Sequence, residues 1–294
     1  MINMHSMDFE EFLMAMLGND IVDMLKEHYD NNEPLIDIMH EKLISLYRLY
    51  LCVGGMPDSV NNIIEVDKDI FKYNKEIIKD IISGYLNDMK KYVLDSTETI
   101  RIEHIYTSIP SQIGNKSNKF QFAKVHSGAR IKNYETALQW LLSSKLVSKI
   151  CLLKTPQIPP EAFKNDEVFK LYLSDVGILN SILNLNFEQI ILDRDFIYKG
   201  EITENYVEHE LSINFDNIYY WKNNNTAEVD FIIYNKDGII PIEVKAGDSV
   251  KSKSLNMYME QYKPKYGIRI STRNFGFANN IKSVPLYATF LIRS

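Results

Sequence analysis

The chain has 294 residues, of which 45% are hydrophobic and 24% charged. That mix excludes collagen-like, disordered and disulfide-scaffold classes. Two cysteines, Cys52 and Cys151, stand far apart without a CxxC partner, so a zinc cluster is not expected and a reducing, cytoplasmic setting is. No apolar run reaches the roughly 18–20 residues needed to span a bilayer. No basic region followed by an apolar core opens the chain, so no cleaved secretory signal and no membrane partner are expected.

The net charge of −6 argues against a nucleic-acid partner, but it averages over unlike segments. Residues 1–112 carry 10 Lys/Arg against 20 Asp/Glu, and residues 113–150 carry 7 against 1. Residues 245–294 carry 9 against 2. Two basic zones on an acidic chain are what local phosphate binding requires, although either zone alone also suits a solvated face.

In chain order, the first sixty residues predict helices. Phe9, Phe12, Leu13, Met16 and Leu17 recur at helical spacing, as do Leu43, Leu46, Tyr47 and Tyr50 before Gly54-Gly55-Met56-Pro57 ends the pattern. A further helix is expected over about 68–94, with Ile70, Tyr73, Ile77, Ile81 and Leu86 on one side. A helix at 98–107 should precede a second, short one that starts at Ser108 or Pro110 and ends near Gly114. Tyr134, Ala137, Leu138, Leu141 and Leu142 mark a third, at about 130–143. An apolar strand, Leu146 to Leu153, follows. Three helices and then a strand is the order of a winged helix-turn-helix, and the basic zone 113–150 covers its second and third helices. That module either reads DNA with the helix at 130–143 or packs against protein. Pro156, Pro159 and Pro160 mark a connector, Phe169 to Ser174 a closing strand, and residues 184–198 a linker.

The last segment opens with a helix at about 201–213. Glu204 and Glu208 share one of its faces, and His209 is expected at the surface. An aromatic strand, Ile218 to Trp221, should serve sheet packing, and Asn223-Asn224-Asn225 the turn after it. Two strands, Ala227–Tyr234 and Ile239–Lys245, are joined by Asn235-Lys236-Asp237-Gly238. A tight hairpin there pairs residues whose numbers sum to 473. Asp230 then faces Glu243, and Glu228 faces Lys245, with Cβ atoms about 4.5–5.5 Å apart. Two carboxylates so placed repel each other unless something intervenes. Mg²⁺ or Mn²⁺ would relieve the repulsion, taking oxygens from Asp230 and Glu243 with Glu204 completing the shell. Such an ion activates water and neutralises phosphodiester charge, and Lys245 would orient the water or stabilise the transition state. The plainer alternative is a solvent-facing hairpin with ordinary ion pairs.

Asp230 followed by Glu243-Val244-Lys245 resembles the core of the PD-(D/E)xK nucleases. Asp8 to Leu13, Leu51 to Pro57, Lys170 to Gly177, Gly200 to Asn205, Tyr220-Trp221, Ala227 to Phe231 and Pro241 to Lys245 together resemble the C-terminal part of prokaryotic AAA+-type ATPases that carry a domain of unknown function. The resemblance implies an α+β protein in three parts. A helical N-terminal region (1–95) resembles the end of an AAA+ module, a winged-helix domain (96–183) follows, and a restriction-endonuclease-like α/β domain (184–294) comes last. It implies metal-binding roles for Glu204, Asp230, Glu243 and the Val244 carbonyl, and catalytic roles for Asp230, Glu243 and Lys245. The functional expectation is a Mg²⁺-dependent DNA endonuclease. The alternative is a non-catalytic DNA-binding or assembly module that works with a separate AAA+ ATPase subunit. No GxxxxGK[ST] phosphate loop occurs, so ATP hydrolysis by this chain is not expected.

Overall fold

The computed structural model describes residues 5–93, 95–113, 119–223, 227–249 and 251–294. It is α+β, a helical N-terminal region followed by an α/β domain, as expected. Helices α1 (Phe9–Leu17), α2 (Asp20–Asn31), α3 (Asp37–Val53), α4 (Pro57–Glu65), α5 (Glu76–Tyr92) and α6 (Ser96–Ile113) come first. A single turn at Phe122–Lys124 and α7 (Ile131–Ser143) lead into the hairpin β1 (Val147–Leu153) and β2 (Lys164–Leu173). Then come α8 (Val176–Ile182), α9 (Phe187–Ile191), α10 (Lys199–Asn214), β3 (Tyr219–Asn223), β4 (Ala227–Asn235), β5 (Gly238–Val244), α11 (Lys253–Tyr262), β6 (Gly267–Ser271), β7 (Gly276–Ala278) and β8 (Ile281–Pro285).

The strands form one mixed sheet in the order β2-β1-β3-β4-β5-β6-β8-β7. The pairing of β1 with β3 is parallel, so the β1–β2 hairpin is continuous with the C-terminal sheet. The three segments also share one apolar core. Phe9 of α1 packs edge-on against Tyr47 and Tyr50 of α3 and Tyr206 of α10, and Asp8 caps α1 with a reciprocal capping box through Glu11.

Three local expectations are corrected. The helix expected over 68–94 covers only 76–92. Asp67 and Lys68 take positive φ, which ends α4, and the Asn74 side chain accepts from Glu76 N to start α5. No separate helix starts at Ser108 or Pro110, because α6 runs through Pro110 to Ile113. A proline in the last turn removes only one helical hydrogen bond, and Ile105, Tyr106, Ile109 and Pro110 are buried together. The linker at 184–198 contains α9, capped by the Asn186 side chain. Gly114, Asn224 and Asn225 lie outside the described residues.

Two glycine-bearing strings far apart in the chain lock together. The carboxylate of buried Asp175 accepts from Gly55 N at 2.7 Å and from Ile178 N at 3.0 Å. Met7 N donates to Gly55 O at 2.8 Å, and Tyr50 Oη donates to Met7 O at 2.6 Å. A Cβ on Gly55 would lie 1.9 Å from Met7 O, and one on Gly177 would lie 2.6 Å from Val53 O. Both are backbone atoms that cannot swing aside. Gly55→Ala is therefore expected to cost more than about 2 kcal/mol, read as a lower urea midpoint; an unchanged midpoint would show that the segment at Met7 lifts away freely.

Candidate functional site

The hairpin of β4 and β5 has the expected register, with Phe231 opposite Ile242 and Asn235 opposite Gly238. The ladder ends at Phe231–Ile242, one step short of Asp230 and Glu243. There the Asp230 carboxylate takes over, accepting from Val244 N at 2.7 Å through Oδ2. Burial first, and then the nearby Glu204 carboxylate, push the Asp230 carboxyl up to about 8, against the pull of Lys170 and the Val244 N–H.

Glu243 is 4% exposed. Its Oε1 lies 2.5 Å from Lys245 Nζ, and its Oε2 accepts from Leu255 N at 3.0 Å. Leu255 is the third residue of α11, whose N-cap Ser252 makes no side-chain cap bond. Glu243 thus satisfies an orphan N–H at the positive end of α11. Released from capping, Ser252 Oγ accepts from Arg269 Nε at 2.9 Å. Arg269 is the β6 neighbour of Glu243 in the sheet.

Lys245 does not pair with Glu228 across the hairpin. It follows the last residue of β5, donates its backbone N–H to Ile270 O at 2.8 Å, and turns its ammonium to Glu243. Glu228 instead meets Lys170 at 2.7 Å and Lys222, its partner on β3, at 3.5 Å.

Lys170 of β2, part of the resemblance but not among the expected site residues, joins the cluster. Its ammonium reaches across β1 and β3 to Glu228 and also lies 3.5 Å from Glu204 Oε2. Tyr172 Oη donates to the same Glu204 oxygen at 3.2 Å. Burial alone would lower the Lys170 pKa. The Tyr172 oxygen and the Glu204, Glu228 and Asp230 carboxylates outweigh it and hold the ammonium well above the ordinary value. The one signal in the chain was a lone lysine in an apolar strand, Phe169-Lys170-Leu171.

The structure therefore brings Glu204, Glu228, Asp230, Glu243, Lys170 and Lys245 into one neighbourhood. It assigns Glu204 to Lys170, and Glu243 to Lys245 and α11. Among the described residues, no three His, Cys, Asp or Glu side chains gather around one point as ligands for a metal ion.

Two neighbours on α10 behave otherwise than expected. His209 is not at the surface: it is 3% exposed, its ring lies 3.3 Å from Ser6 Oγ, and burial pulls its pKa down to about 4. Glu208 is 1% exposed, and burial pushes its carboxyl up to about 7. α10 is enclosed on nearly every side, with Ile202, Thr203 and Asn205 to Leu211 all buried, so its polar residues cannot mark a wet face. Both side chains line a cleft of about 600 Å³ with His5, Lys149 and Tyr219, to which none of the candidate site residues contributes. The aromatic strand packs as expected, with Trp221 edge-on to Tyr258 and Tyr262.

On the wing side, α7 buries Tyr134, Ala137, Leu138 and Leu141 and exposes Lys132, Asn133, Thr136 and Gln139, preceded by exposed Arg130. Both cysteines are buried and free, and among the described residues no helix is long and apolar enough to cross a membrane.

Residues 199–289 match the model of a domain of unknown function, DUF4143, and residues 44–189 match that of a second, DUF8612. DUF4143 is a C-terminal domain often found with AAA-type ATPase proteins. No curated protein and no solved structure matches the chain.

Proposed function

We propose that the C-terminal α/β domain is a Mg²⁺-dependent nuclease of the PD-(D/E)xK type that acts on DNA, with α7 as its DNA-contacting helix. One observation carries this reading. The buried Glu243 carboxylate is clamped between Lys245 Nζ at 2.5 Å and the first turn of α11, beside Asp230 at the splayed end of the hairpin. Stability gives no reason for such an arrangement, since buried charge pairs are often no better than packed apolar residues, and perturbed carboxyls in a cluster favour a functional site. The order α10-β3-β4-β5-α11-β6, with β5 and β6 parallel, is that of the restriction-endonuclease-like core.

Mg²⁺ is commonly held by one or two carboxylates plus substrate phosphate. Asp230 and Glu243 with the Val244 carbonyl suit that form, whereas Glu204, tied to Lys170, stands outside it. When bound, the ion would lower the pKa of a water and offset phosphodiester charge. The chain's own groups do the rest. The α11 N-terminus and Lys245 keep Glu243 oriented, Lys245 offers its remaining donors to the charge that develops on phosphorus, and Lys170 holds Glu204 and Glu228 in place.

Nicking of supercoiled plasmid with Mg²⁺ or Mn²⁺ tests the reading. Lys245→Ala and Asp230→Asn should each cut the rate at least about 100-fold, read on protein whose circular dichroism matches wild type. Cleavage that survives both changes would reject the site. A second reading, a non-catalytic module of a separately encoded AAA+ ATPase, draws on the DUF4143 match; it predicts no nicking and a stable complex with that ATPase.

A further inference from the structure

The sheet continues past Glu243 in register to Arg269 on β6, Ser283 on β8 and Gly276 on β7. Paired residues on neighbouring strands share a face, so these four positions form a row that leads from the candidate site to the sheet edge. Small residues follow along the same face, with Gly267 and Ala278 flanking Ile281 on either side. They leave room for two grooves that meet at Arg269. One, about 540 Å³, is walled by Asn256, Met259 and Glu260 of α11; the other, about 430 Å³, is bounded by Arg273 and Asn274.

Arg269 lies beside Glu243 in the sheet, and Glu260 lines the groove it shares with α11. Neither arginine forms an ion pair among the described residues; burial depresses the Arg269 pKa most, the Glu243 carboxylate raises it, and nearby Arg273 depresses it further. Among the described residues, Nε alone of the five N–H donors of Arg269 is engaged, by Ser252 Oγ, which fixes the fork. Ser252 is itself 2% exposed. Two like charges held together over an open groove, one of them with its remaining donors unused, constitute half of an anion site.

We propose that Arg269 and Arg273 bind the backbone phosphates of a nucleic-acid strand and carry it across the sheet face away from the Asp230–Glu243 pair. The assignment rests on the nuclease reading only for the direction of the strand; the binding itself needs no metal and no catalysis. Contacts of this kind are made to the phosphate and not to the base edges, so they act without sequence preference.

The test is fluorescence anisotropy with the full chain, EDTA, and labelled single-stranded and duplex oligonucleotides of random sequence at several salt concentrations. Arg269→Gln and Arg273→Gln should each weaken binding about tenfold. Each should also reduce the slope of log affinity against log salt by about 0.7 on the single strand. Lys26→Gln on α2 should change neither. Arg273 is exposed, so its variant tests the proposal even if Arg269→Gln fails to fold. Wild-type affinity and slope in Arg273→Gln, or no wild-type binding at low salt, would overturn the proposal. Arginine-dependent binding without Mg²⁺-dependent nicking would sink the nuclease reading and leave the groove standing.

Discussion

Lys170→Met is expected to lower the stability of the fold by about 3–5 kcal/mol, because removing one partner of a buried ionic cluster leaves the others uncompensated. Lys170 is 11% exposed at its side chain and lies 2.7 Å from Glu228 and 3.5 Å from Glu204. It also lowers the Asp230 pKa. Without it, Glu204 and Asp230 lose their counter-charge, Glu228 keeps Lys222, and the first two must take up a proton or draw water in. The companion variant Lys170→Met/Glu204→Gln/Glu228→Gln removes the repulsion together with its counter-charge and should recover most of the loss. Urea unfolding of both decides the matter. If the single change costs less than about 1 kcal/mol, the cluster is a solvated surface network.

A pH experiment on α10 should show a cancellation. Glu208 has its pKa raised from 4.5 to about 7, and His209 has its pKa lowered from 6.5 to about 4. Burial dominates both shifts, and the His5 charge adds to the second. A buried acid that keeps its proton makes the fold more stable at low pH, and that advantage is lost as pH rises from about 4.5 to 7. A buried neutral histidine acts in the opposite sense, and stability is lost as pH falls from about 6.5 to 4. Between about 4.5 and 6.5 the folded pair carries one proton on Glu208 and the unfolded pair carries one on His209. The proton counts match, so the pair contributes no slope. Glu208→Gln removes one arm. Relative to wild type it should lose stability on acidification from pH 6.5 to 4.5, at a slope of about 1.4 kcal/mol per pH unit. His209→Gln should lose stability relative to wild type as pH rises over the same range. Taking differences from wild type removes the titration of Asp8, which burial raises to about 6, and of every other group. Parallel pH profiles for all three proteins would show that α10 is wetter than the buried packing implies.

Much of the architecture follows from local pattern. The apolar spacing of Phe9, Phe12, Leu13 and Met16 is enough to place α1 and its buried face. The alternation in Ala227–Tyr234 and Ile239–Lys245, with a short turn between, dictates the hairpin and its register, because a slip of one residue would turn Phe231 and Ile242 to the wrong side. That register is what brings Asp230 near Glu243, so the centre of the candidate site was legible before any coordinates. The same reasoning could not see what each carboxylate would bind. Glu228 goes to Lys170 and Lys222, and Glu243 to the first turn of α11, because those partners arrive on other strands and on a helix distant in the chain.

Composition, periodicity and turn chemistry, all local along the chain, by themselves determined the helical N-terminal region, the hairpin register and the approach of Asp230 to the Glu243 end of β5. Tertiary structure alone decided that Lys170 neutralises Glu204, that Glu208 and His209 are dry, and that Arg269 extends the row begun at Glu243. The reason is that burial and charge pairing depend on which distant surfaces close over a residue. In this protein β1 joins β3, the β1–β2 hairpin becomes part of the sheet, and a lysine from one segment lies among the carboxylates of another.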